Sequence, residues 1–152
     1  MTTIKKQMPS KRKPSEGDYF SILLPDERYI MGRVVRNRPS QIPILGNILV
    51  YIYNKVIDAP CISGSLSKED LLVPPTFVNQ LCWSRGYFSH VGERPLAPKD
   101  AYPNHCFARC PFSPTKHIDQ FGKFVERFEP CGQYSLSGYA IVDDKICKTL
   151  GL

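Results

Sequence analysis

Nowhere in this 152-residue chain does a run of apolar side chains approach the about 18 that a membrane-spanning helix needs. A helical membrane anchor is excluded. No apolar stretch follows the early lysines either, so a secretory signal is not expected and the sequence reads as that of a cytoplasmic protein. Acidic residues are absent from residues 1–15, while Lys5, Lys6, Lys11, Arg12 and Lys13 supply five positive charges there, against a net charge of +6 for the whole chain. The rest of the chain is therefore close to neutral. Phosphate affinity scales with the number of phosphates neutralised, so the body offers no basic face for a polyanion, and nucleic acid is expected at most weakly, through the tail. Lacking aromatics and apolar periodicity, residues 1–15 read as a disordered basic tail and 16–152 as a single domain.

Signatures of catalysis are missing as well. There is no Gly-rich phosphate loop, and Ser63-Gly64-Ser65 and Ser137-Gly138 lack the flanks of a nucleophile elbow. His105, Cys106, Cys110 and His117 crowd into a short interval, but the spacing is C-x3-C with no second cysteine pair, and Pro111 and Pro114 intervene. No metal, no other cofactor and no catalytic residue is expected. The six cysteines, at positions 61, 82, 106, 110, 131 and 147, read as free thiols of a reducing compartment. Asp143-Asp144 reads as the start of a helix, where capping and the helix dipole favour acids.

What the sequence does have is β-branched and aromatic patterning broken by 14 prolines and 10 glycines. Gly17 to Val35 predicts a hairpin, two apolar arms turning near Pro25 to Glu27. Ile48 to Asn54 is apolar on both faces and predicts an inner strand. Asn37 to Asn47 predicts a loop, Thr76 to Val91 further strand with a break at Arg85-Gly86, and Pro95 to Pro114 a long connection with a brief strand around Phe107. Ser135 to Val142 predicts a last strand, and residues 143 to 150 a helix stopped by Gly151. The fold class expected is mainly β: a small antiparallel, partly open barrel or strongly bent sheet with a short C-terminal helix.

Within that frame, Trp83, Arg85, Tyr87 and Phe88 have the composition of a partner-binding anchor, since Trp, Tyr and Arg carry much of the energy of protein contacts. Strand alternation puts Trp83, Arg85 and Tyr87 on one face. The competing reading is core, where aromatics of small β domains usually lie.

In order along the chain, Gly17-Asp18, the Leu24-Pro25-Asp26 turn, Tyr29-x-x-Gly32-Arg33-Val34, Leu71 to Pro75, Trp83 to Phe88, Arg94-Pro95-Leu96, Gly138-Tyr139, Asp143-Asp144 and Leu150-Gly151 resemble the immunity protein 26 family of bacterial polymorphic toxin systems. Two features depart from its pattern: Glu27 stands where the family's turn has Gly, and the Pro-rich stretch 101–115 has no counterpart. The resemblance implies a non-enzymatic cytoplasmic immunity protein that binds a cognate toxin domain and neutralises it stoichiometrically. A nucleic-acid-associated small β-barrel module is the second reading, and a thiol- or metal-dependent enzyme the third.

Overall fold

Short strands follow from the spacing of proline and glycine, and the one long helix comes last. The computed structural model describes residues 2–38, 46–109, 113–133 and 135–152. β1 (Asp18–Leu23) and β2 (Tyr29–Asn37) form the expected antiparallel hairpin, with Tyr19 opposite Arg33 and Leu23 opposite Tyr29. At the turn the Leu24 N–H donates to the Arg28 carbonyl at 2.8 Å. Glu27 there has φ 71°, in the left-handed region that Gly adopts at little cost.

β3 (Ile48–Ile57) lies between β2 and β4 (Leu71–Val78), the inner place its two apolar faces predict. β5 (Ser89–Glu93) and β10 (Leu136–Ser137) are the edges of this six-stranded sheet, in the order β10-β4-β3-β2-β1-β5. A second sheet has the order β8-β7-β6-β9, built from β6 (Cys106–Arg109), β7 (Ser113–Ile118), β8 (Phe124–Val125) and β9 (Cys131–Gln133). The brief strand expected around Phe107 is β6. Two helices, α1 (Leu81–Ser84) and α2 (Tyr139–Leu150), complete the described elements. The protein is thus mainly β with a short C-terminal helix, and its two sheets do not close into a barrel.

Alternation along the strands sends side chains to two cores. Phe20, Ile22, Ile30, Val34, Val50 and Ile52 meet Trp83, Phe88, Val142 and Ile146 from the helical side. On the opposite face Tyr19, Met31, Leu49, Tyr51, Tyr53 and Phe77 meet Phe107 and Ile118 of the second sheet. The helices and the second sheet therefore cover opposite faces of the large sheet. Gly32 permits this packing, because a Cβ there would fall 2.3 Å from the Phe20 ring.

Two expectations need correction. Residues 76–91 are not continuous strand, since β4 ends at Val78 and the chain makes α1 and a turn at Gly86 before β5. The last strand is cut to two residues by α2, which starts at Tyr139 rather than at Asp143. Residues 2–7, part of the segment expected as a disordered tail, are placed against the body of the fold. Ile4 is 2 % exposed and packs in the helical-side core, and Asp143 accepts the Ile4 N–H at 2.8 Å and the Thr3 N–H at 3.0 Å. Lys5 bridges Leu23, and the Gln7 N–H donates to the Gly86 carbonyl at 2.7 Å. A single buried isoleucine gives no periodicity, so the docking leaves no pattern to read. Most of the loop 37–47, with Pro39 and Pro43, and Cys110 lie outside the described residues.

Candidate functional site

Arg33 is a charge in the middle of a strand and only 3 % exposed, so its guanidinium needs fixed partners. Its Nη2 donates to the carbonyls of Arg94 at 2.7 Å and Pro95 at 3.4 Å, and its Nε donates to Gly17 O at 3.4 Å. Nη1 pairs with Asp100 at 3.3 Å, and the group stacks over the Tyr19 ring, 4.3 Å from its centroid. Gly17 has φ 93°, and a Cβ there would lie 2.3 Å from Arg94 O, so only glycine lets the two chain segments close on the arginine. Gly17, Gly32-Arg33 and Arg94-Pro95, far apart in sequence, are one constellation in space.

Around it opens a pocket of about 500 Å³, walled by Tyr19, Tyr53 and Arg33 and rimmed by Lys68, Arg94, Lys99 and Asp100. The Asp100 carboxyl is held below its ordinary range by the Ala97 N–H, with Arg33 adding to the effect. Burial pushes the Tyr53 phenol well above its ordinary range, so it is a hydrogen-bond donor and never an anion here.

The anchor candidates behave differently. Trp83 is 2 % exposed, Tyr87 6 % and Phe88 0 %. Phe20 stacks on Phe88 at 4.2 Å with Trp83 edge-on to both, and Tyr87 stacks on Tyr139 at 4.5 Å. Only Arg85 is exposed. These three aromatics hold the helices onto the sheet, so they offer no side chain for a partner to bury. α1 turns the strand face that sequence alternation implied into a helix turn.

The exposed aromatics lie elsewhere, in the hairpin formed by β7, β8 and the chain after them. Phe121, Phe124 and Phe128 are 40, 64 and 36 % exposed. Arg36 sits 4.9 Å over the Phe121 ring and Lys116 5.2 Å over Phe124. Asp119 fixes the turn, accepting the N–H groups of Phe121 and Lys123 at 2.9 Å each. The signal in the sequence was three phenylalanines set among charged and polar residues in DQFGKFVERF, too polar a stretch to bury all three.

Histidine and cysteine are placed for structure. His105 is 5 % exposed with Nε2 2.7 Å from the Tyr51 hydroxyl. The same hydroxyl accepts the Tyr102 N–H at 3.0 Å. Burial lowers the His105 pKa to about 4 and keeps the ring neutral. Cys106 Sγ lies 3.3 Å from Cys131 Sγ across β6 and β9. Burial pushes the Cys82 thiol up to about 12, and burial with the Cys106 contact takes Cys131 to about 11. His105 and Cys106 thus have different partners, and Cys110 of the quartet lies outside the described residues. Asp18, His90 and Glu93 do approach one another. Arg12 bonds both carboxylates there, at 3.3 and 3.2 Å, and offsets one of their two charges.

A two-sheet β protein with a helical cover, stapled by a buried arginine between its first hairpin and the segment after β5, is the class defined by this geometry. Residues 15–117, well over half the chain and all of that constellation, match the sequence profile of the family described as Immunity protein 26. The chain belongs to the Immunity protein 26 family. No curated protein and no solved structure matches it. No helix among the described residues is long and apolar enough to cross a membrane.

Proposed function

We infer that this chain is a cytoplasmic immunity protein that neutralises a cognate bacterial toxin domain by binding it stoichiometrically, without chemically altering it. The family match over residues 15–117 carries this reading. The states of three groups support the non-enzymatic part: the buried Cys82 and the half-buried Cys131 are held as thiols, and the Nε2 of His105 is taken by Tyr51. Occlusion needs about 800 Å² per partner with a few aromatic or Arg anchors at its centre. Phe121, Phe124 and Phe128, with Arg36 and Lys116 over two of them, supply such anchors to a toxin surface that pairs an apolar depression with carboxylates.

Phe121, Phe124 and Phe128 lie beyond the family-matched residues, while Arg36, Lys116 and β7 as far as His117 lie within them. A single-stranded nucleic acid is a poorer fit, because the chain outside residues 1–15 is close to neutral and offers few charges to neutralise phosphates. Co-expression with the toxin domain encoded beside it tests the reading: growth is rescued at roughly one copy per toxin, through a complex that survives gel filtration. Protection at clearly substoichiometric levels would contradict it.

A further inference from the structure

The pocket beside Arg33 has more donors and positive charge than the fold consumes. Its two acids are already matched, Asp100 to Arg33 at 3.3 Å and Glu69 to Lys68 at 3.2 Å. The rim cations Arg94 and Lys99 form no ion pair among the described residues, and both are exposed. In the wall, Tyr53 is 3 % and Tyr19 7 % exposed, yet neither hydroxyl has a hydrogen-bond partner among the described residues. Both tyrosines line the pocket together with Arg33 and Asp100. Among the described residues, the fully enclosed side-chain atoms without a partner are Arg36 Nε and His105 Nδ1, so the two tyrosine hydroxyls keep an accessible side and are free to donate into the pocket they line.

We propose that this pocket binds an anionic group, a carboxylate or a phosphate, which accepts hydrogen bonds from Tyr53 and Tyr19 and is neutralised at the mouth by Lys99 and Arg94. The volume, about 500 Å³, matches the usual range for small-molecule sites. Arg33 does not contact the anion; its three carbonyl bonds and its pair with Asp100 hold the wall in place. All of these residues fall within the family-matched range, and none lies in the hairpin with the exposed phenylalanines. It stands independently of toxin binding.

Two sources offer this chemistry, a free small anion or an acidic side chain on a protein partner. Calorimetric titration of the full chain with inorganic phosphate, with citrate and with a short polyglutamate peptide separates them. Tyr53→Phe removes only the hydroxyl and Lys99→Ala only a rim charge, and both should melt as the parent does without anion. Saturable binding of phosphate or citrate, weakened about tenfold or more by either variant, assigns a free anion. Binding of the peptide alone, with the same sensitivity, assigns a partner's acidic side chain. If none of the three binds saturably, or if both variants bind as tightly as the parent, the proposal is overturned.

Discussion

At the residue scale, two positions report how far the chain departs from what local chemistry prefers. Glu27 holds φ 71° at the hairpin turn, a conformation that costs a side-chain-bearing residue about 1–2 kcal/mol and glycine almost nothing. Its pair with Lys5 is exposed and contributes little. Glu27→Gly should therefore raise stability by about 1 kcal/mol, less what a more flexible unfolded chain takes back, read as a higher urea midpoint with unchanged slope. His105 sets a pH dependence instead. Its folded pKa, about 4, lies below the ordinary value of 6.5, so the unfolded chain binds the proton first on acidification. The stability from keeping this ring neutral is complete above pH 6.5. It falls away as pH drops toward 4, by about 3 kcal/mol in total. Denaturation at a series of pH values should show that loss in the parent and a flatter profile in His105→Gln.

At the element scale the N-terminal segment and α2 depend on one another. Asp143 is 8 % exposed and gives its carboxylate to the Thr3 and Ile4 N–H groups, not to the start of its own helix. Asp143→Ala leaves those donors without their acceptor and should cost about 1–3 kcal/mol. Deleting residues 1–7 should lower the melting temperature by a comparable amount, because the Ile4 side chain leaves the core. An unchanged melting temperature in the deletion would show that the segment does not dock. Legibility in the sequence divides along the same line. The hairpin, the inner β3 and the Gly151 stop are written in local pattern and turn chemistry, and the structure has them where the pattern puts them. The strap, α1 and the early start of α2 depend on long-range partners: Asp143 for Ile4, Phe20 for Trp83, Tyr87 for Tyr139. No window of residues contains both halves of such a contact. Arg33 was visible as a charge between glycine and two valines, but its role emerges only once Gly17, Arg94 and Pro95 fold around it.

For the whole molecule, the distance between the buried Arg33 constellation and the exposed phenylalanines of the second sheet makes the functional reading separable from stability. Residues that build the family constellation should act through the fold: Arg33→Met leaves three carbonyls and Asp100 without their donor and should destabilise by about 3 kcal/mol or more, lowering neutralisation only as far as folded protein is lost. Phe124 is 64 % exposed, with only Lys116 over its ring. Phe124→Asp should therefore shift the melting temperature little, yet it places a carboxylate where the proposed toxin surface offers its own acids. Loss of a buried aromatic anchor with like-charge repulsion predicts a weakening of the complex by about 2–4 kcal/mol, or some thirtyfold to a thousandfold in Kd. Growth rescue should fail while the variant remains folded and abundant. Phe124→Leu, which keeps apolar area without the ring, should fall between the two. Should Phe124→Asp bind and protect as the parent does, the toxin docks on another face, and the hairpin's exposed phenylalanines serve some different contact.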